Sequence, residues 1–326
     1  MRRAVITAVG AYLPEKRLTN ADLEKLVETS DEWIVERTGI RERRILGRGK
    51  GSAYMAIKAA EEALRKRGLP AEEIDLVIVA TVTPEHPFPA TANIVANAIG
   101  AHRAWGFDLE AACSSFLYGL SIAADSIAAG RVERALVIGS DKMSSIIDYR
   151  DRATCVLFGD GAGAVLLEPT TEDVGVMDYL HQADGSGCAY LHMKAGGSVL
   201  PPSVRTVRER LHYVYQEGRQ VFKHAVVQMA AVSEALMQKH GLTAEDIAFF
   251  VPHQANRRII EAAAERLRFP MEKVMINIER YGNTTSATLP LCLYDYESQL
   301  KKGDNLILAT FGGGFTWGAL WLRWGY

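Results

Sequence analysis

A cysteine, a histidine and an asparagine stand out in the 326-residue chain, because each sits where a side chain can be held for chemistry. Cys113 lies in DLEAACSSFLYGL, where small residues give way to an apolar repeat. Phe116, Leu117, Leu120, Ala124, Ile127 and Ala128 recur at helical spacing, and Gly130 closes the helix. Cys113 therefore falls in or just before a first turn. The partial positive charge of a helix N-terminus favours thiolate over thiol, which suits a nucleophile. The same position suits a small packed thiol, the usual role of free cysteine. His253, in FFVPHQANRRIIEAAAERL, follows a buried strand, with a helix starting near Asn256. Strand ends are where sites form in open α/β sheets. Asn283, in ERYGNTTSATLPLCLYD, follows Gly282 in a tight turn, and Pro290 marks a helix start close by. Its amide either closes the turn or points into a site. FGGGFTWG (311–318) places three glycines after a strand. That either forms a plain hairpin or brings backbone N–H groups to a ligand as an oxyanion hole does.

Other groups read differently. Cys155 and Cys292 lie in apolar runs and are expected in the core; Cys188 sits in a glycine-rich loop with no assigned role. No cysteine spacing matches a zinc site, and no metal is expected. FGDGAGA (158–164) imitates a dinucleotide fingerprint, but a strand-like VLLEP follows where that fingerprint needs a helix, so nicotinamide binding is rejected. Trp33 and Arg37 stand four apart on one helix face, with Arg41, Arg43 and Arg44 after them. An aromatic plane with arginines suits a nucleotide base and its phosphates. Interleaved Glu32, Glu36 and Glu42 equally fit a salt-bridged surface helix.

The elements that must position these residues come in two similar sets. EALRKRGLPAEEIDLVIVAT (62–81) is echoed by EALMQKHGLTAEDIAFFVPH (234–253). GRVERALVIGS (130–140) is echoed by KGDNLILATF (302–311), and FGDGAGAVLL (158–167) by FGGGFTWGALWL (311–322). Three echoes in the same order predict two similar halves joined around 168–176. LVIVATVT, ALVIGS, VMINI and LILATF are short and apolar on both faces, as strands between helix layers are. The class is α/β. A net charge of -2 supplies no global basic field, so nucleic acid is not an expected partner. No apolar run is long enough to span a bilayer, and the scattered cysteines fit a reduced, cytoplasmic setting.

Taken together, EAACSSF, VPHQAN, YGNTTSAT, FGDGAGA, FGGGFTWG and TSDEWIVERTGIRERR resemble the motifs of the β-ketoacyl-acyl carrier protein synthase III family, in that family's order and across the whole chain. The resemblance implies a thiolase-like five-layered αβαβα fold of two pseudo-symmetric halves, 1–172 with the nucleophile and 173–326 with the histidine and asparagine, as a homodimer. It implies the initiating condensation of type II fatty acid synthesis, with acyl-coenzyme A (acetyl-coenzyme A as primer) and malonyl-acyl carrier protein as substrates and no cofactor. Cys113, His253 and Asn283 would be catalytic, with Cys113 and Gly313 N–H groups as the oxyanion hole. Thr29, Trp33, Arg37, Arg152, Gly218, Phe222 and Asn256 would hold coenzyme A. Phe88 would close the partner's acyl pocket, and Lys223, Arg257, Arg258 and Arg266 would dock the acidic carrier protein. GNTTSAT and EAACSSF depart from the commoner GNTSAAS and AACAGF, and Glu265 stands where lysine is frequent. A condensing enzyme of polyketide metabolism with another primer is the alternative. A papain-like cysteine hydrolase lacks the repeat, and a non-catalytic thiolase-fold subunit would lack the cysteine.

Overall fold

The computed structural model describes residues 2–326. The first sheet contains β1 (Arg3–Tyr12), β2 (Leu76–Ala80), β3 (Trp105–Leu109), β4 (Ala135–Lys142) and β5 (Asp160–Thr170), ordered β1-β5-β4-β2-β3. The second contains β6 (Gly175–Ala183), β7 (Phe249–Pro252), β8 (Asn305–Gly312) and β9 (Thr316–Arg323), ordered β6-β9-β8-β7. The sheets repeat one pairing scheme. β1/β5 and β5/β4 are antiparallel and β4/β2 and β2/β3 parallel. Correspondingly, β6/β9 and β9/β8 are antiparallel and β8/β7 parallel. The three sequence echoes fall on β2 and β7, β4 and β8, and β5 and β9.

VMINI, expected as a strand, makes only a parallel bridge from Val274 to Phe250. Met275 N–H reaches the Phe250 carbonyl at 3.0 Å, but the next donors turn to side chains. Ile276 N–H goes to Tyr296 Oη at 3.2 Å and Asn277 N–H to Gln254 Oε1 at 3.0 Å. The ladder stops, and a short helix begins at Ile278.

Helices cover both sheets and fill the space between them. The main ones are α1 (Asp31–Thr38), α2 (Ser52–Arg67), α3 (Thr91–Ile99), α4 (Ser115–Ala128), α5 (Gly218–Lys239), α6 (Arg257–Arg266) and α7 (Thr288–Tyr296). Strand β2 shows the layering through its alternation. Val77 and Val79 pack outward on α2 and α3, while Leu76, Ile78 and Ala80 pack inward on α4. Phe116, Leu120 and Ile127 of α4 and Leu289 and Leu293 of α7 form the central layer against both sheets. α5 and α6 cover the far face of the second sheet. The result is αβαβα. Each fully buried Leu, Ile or Phe in these layers contributes roughly 1.5–3 kcal/mol. FGDGAGA runs into β5, as its strand-like continuation implied. Its glycines serve packing. A Cβ at Gly163 would come 2.7 Å from Pro290 Cβ, so the start of α7 can lie directly on the strand. Among the described residues, no helix is long and apolar enough to cross a membrane.

Candidate active site

Cys113 sits in a tight 3-10 turn (Ala112–Ser114) that leads into α4. Ala112 before it holds φ +48, a left-handed conformation that costs a non-glycine residue about 1–3 kcal/mol. The turn is stitched to the hairpin between β8 and β9. Thr316 Oγ1 donates to the Ala111 carbonyl at 2.8 Å, and Ser114 Oγ to the Thr316 carbonyl at 3.1 Å. A Cβ at Gly312 would lie 2.7 Å from the Cys113 nitrogen. FGGGFTWG is thus both a hairpin and the wall behind the cysteine. Gly312 is the glycine that the close approach requires; Gly313 has room for a Cβ.

His253 follows β7 directly and is 2% exposed. Its Nδ1 is 2.7 Å from Thr288 Oγ1, and its Nε2 has no hydrogen-bond partner. Asn283 follows Gly282, whose φ of +65 makes the turn. Asn283 Oδ1 accepts the Thr285 N–H at 2.8 Å, which fixes the amide. Thr285 is held at φ +50, and its hydroxyl donates to Asp141. Asp141 is fully buried and accepts from Thr81, Thr83 and Ser286 as well.

Cys113, His253 and Asn283, from three separate loops, line one cavity of about 780 Å³. Gly218, Phe222, Asn256, Trp33, Arg37, Arg258 and Gly313 line it too. At its outer end Trp33 carries two guanidinium groups, Arg37 and Arg152, each 4.9 Å from the ring centroid. Arg152 also donates to the Glu28 carbonyl, next to Thr29, at 3.0 Å. Thr29 itself does not line the cavity, and its hydroxyl is buried without a partner. Asn256 caps α6 through Oδ1 and donates Nδ2 to the Arg37 carbonyl at 2.9 Å, which ties α6 to α1. Cys188 lines the cavity and contacts the Gly314 carbonyl, whereas Cys155 and Cys292 are buried in the core.

The remaining expected residues lie apart from the cavity floor. Phe88 projects from its loop with 85% of its surface exposed. Lys223, Arg257 and Arg266 are exposed on α5 and α6, which pack together; Arg257 pairs with Glu261 at 2.8 Å, and Arg258 stacks over Phe222 at 5.5 Å. Arg43, grouped above with the surface arginines, is fully buried. Its guanidinium donates to the Leu18 and Val156 carbonyls and to Asn20, so it is not available to a ligand.

The electrostatics correct one expectation. The helix start was expected to favour the Cys113 thiolate, but burial and then the nearby Asp141 charge push the thiol up to about 12. Burial of Cys113, 7% exposed, disfavours the charged thiolate. Burial also pushes His253 down to about 3. The pair therefore rests as neutral thiol and neutral imidazole. A thiol, an unpartnered imidazole nitrogen, a fixed amide and a glycine-rich hairpin lining one cavity suit acyl transfer through a thioester.

Comparison with known proteins identifies the family. The 3-oxoacyl-[acyl-carrier-protein] synthase III family matches residues 107–185, and the family's C-terminal region matches residues 237–324. The chain is 56% identical over 324 residues to β-ketoacyl-[acyl-carrier-protein] synthase III 2 of Bacteroides thetaiotaomicron, covering 99% of this chain and 97% of that one. It belongs to the synthase III family. Synthase III is an acyltransferase that performs the initiating condensation of fatty acid synthesis, with acyl-coenzyme A and malonyl-acyl carrier protein as substrates. The crystal structure of the Aquifex aeolicus synthase III superposes with a TM-score of 0.92 at 44% identity, over 98% of this chain and all of that one. A priming β-ketosynthase from the R1128 polyketide pathway superposes at 0.91 with 33% identity, over 99% of this chain and 96% of that one. The synthase III fold is the thiolase-like architecture expected from the sequence.

Proposed function

We propose that Cys113 is the acyl carrier of this synthase III and that His253 and Asn283 stabilise the enolate that condenses with it. Cys113 Sγ attacks the thioester carbonyl of acyl-coenzyme A. The carbon–sulfur bond to coenzyme A breaks, and coenzyme A leaves with the proton that the cysteine gives up. Malonyl-acyl carrier protein then loses carbon dioxide, and the released electron pair forms an enolate. His253 Nε2–H and the Asn283 amide donate to its oxygen. The enolate carbon attacks the acyl-Cys113 carbonyl and expels the Cys113 sulfur as thiolate, which takes a proton from solvent to restore the thiol. In both additions the N–H groups of Cys113 and Gly313 hold the oxyanion, a stabilisation worth about 2.7–4 kcal/mol per donor.

The observation that carries this reading is the convergence of Cys113, His253 and Asn283 on one buried cavity, with His253 Nε2 left unpartnered. Trp33, Arg37 and Arg152 hold the adenine end of coenzyme A at the cavity mouth, with Thr29 behind them. Gly218, Phe222 and Asn256 line the pantetheine path. The primer is acetyl-coenzyme A and the compartment the cytoplasm. The division lies between 172 and 173, in the connection between β5 and β6. The homodimer forms at the open edge strand β3, with Phe88 closing the partner's acyl pocket; the exposure of Phe88 and of Trp105 on that strand supports this. Lys223, Arg257, Arg258 and Arg266 dock the carrier protein.

Intact-mass spectrometry with a panel of acyl-coenzyme A thioesters tests the reading. The protein gains one acyl group, most readily acetyl, and Cys113→Ala gains none. An acylated Cys113→Ala protein overturns it.

A further inference from the structure

Behind His253 stands Thr288, the first residue of α7. Its Oγ1 lies 2.7 Å from His253 Nδ1 and 3.1 Å from the Thr285 carbonyl oxygen. The hydroxyl has one proton and can give it to only one of these acceptors. Given to Nδ1, it leaves the proton of a neutral ring on Nε2. Given to Thr285, it makes Oγ1 the acceptor of an Nδ1–H and leaves Nε2 a bare lone pair. The choice has consequences because burial keeps the ring neutral, so one nitrogen alone carries a proton.

We propose that Thr288 is a positioning residue that donates its hydroxyl proton to His253 Nδ1 and thereby fixes the ring proton on Nε2, where a substrate oxygen can accept it. The distances favour this sense, and two further observations show why it matters. The contact with Nδ1 is the shorter of the two. Thr288 does not line the cavity while His253 does, so the Nε2 edge is the one turned to substrate. Nε2 is buried with no protein partner, so its proton or lone pair is left for a ligand. The same turn sets the second donor. The Thr285 N–H occupies Asn283 Oδ1, which leaves the Asn283 NH2 for the cavity. Thr285 is itself clamped by Asp141, which is also bonded to the loop after β2. One short turn thus orients both donors. The inference rests on the enolate-stabilising reading of His253 given above.

The test separates the two. In the wild-type enzyme with 15N-labelled histidine, the imidazole nitrogen shifts show Nε2 protonated; an Nδ1–H signature overturns the proposal without any variant. Thr288→Val lowers malonyl-acyl carrier protein decarboxylation roughly 10–100-fold while acylation by acyl-coenzyme A changes less than about threefold. Its histidine shifts move toward a tautomer mixture. Thr288→Ser, which keeps the hydroxyl, retains decarboxylation within about threefold and the Nε2–H signature. Thr288→Val with normal decarboxylation, or Thr288→Ser as impaired as Thr288→Val, overturns the role of the hydroxyl. His253→Ala is the control: if it leaves decarboxylation intact, the enolate reading fails first.

Discussion

The floor and the mouth of the cavity are held in different ways. At the floor, Cys113, His253 and Asn283 expose 7%, 2% and 5% of their surfaces, and the histidine and asparagine are fixed by short bonds to threonines. At the mouth, Trp33 is half-buried, Arg37 and Arg152 are exposed, and the three hold one another only by cation–π stacking. The floor is preorganised: its strain at Ala112 and Thr285 is met by bonds inside the protein. The mouth is provisional, because a flat ligand can replace either guanidinium on the indole face. On the proposed reading, chemistry belongs at the first and adjustable binding at the second.

Substitutions can break this contrast. Asn283→Ala at the floor should lower malonyl-acyl carrier protein decarboxylation about 10²–10³-fold and leave Cys113 acylation nearly unchanged, as read by carbon dioxide release and intact mass. Equal loss in both half-reactions would make Asn283 a structural turn residue. Arg152→Ala at the mouth should raise KM for acyl-coenzyme A about 2–30-fold with little change in kcat, the range expected from losing one cation–π contact. A fall in kcat would show that mouth and floor are coupled. The smallest effect sharpens the contrast through pH. Burial holds His253 down to about 3, so the ring stays neutral as pH falls from 8 to 5.5. Decarboxylation by the acyl-enzyme should therefore vary less than about twofold over that range. A histidine at its ordinary value of about 6.5 would show an inflection in the same window.

Much of the floor was legible in the sequence because each residue sits at a punctuation mark: a helix start for Cys113, a strand end for His253, a Gly-Asn turn for Asn283. The repeat likewise announced two sheets of one pairing scheme. The pairing of Trp33 with Arg152 was not legible from spacing; it came from the family resemblance, since no local pattern ties a first helix to a loop so far along the chain. Thr285 and Thr288 passed as small polar residues before a helix, and their three-residue spacing after Asn283 was the one signal available. The close approach of Gly312 to Cys113 was not legible, because a run of three glycines does not say which backbone touches what. The thiolate expectation failed because position along a helix was visible and burial was not. VMINI failed as a strand because the side chains that intercept its donors, Gln254 and Tyr296, lie elsewhere in the sequence.

The order of the site along the chain has a further consequence, during synthesis. Cys113 belongs to the first sheet and its central helix, whereas His253, Asn283 and the Gly312 wall all follow β7. β9, which sits between β8 and β6, is made after both of the strands it pairs with. Domains fold as they emerge from the ribosome. An emerging chain thus carries Cys113 for a long stretch of translation without the groups proposed to use it. On the proposed roles, the full condensation waits for the β8–β9 hairpin to close behind the cysteine.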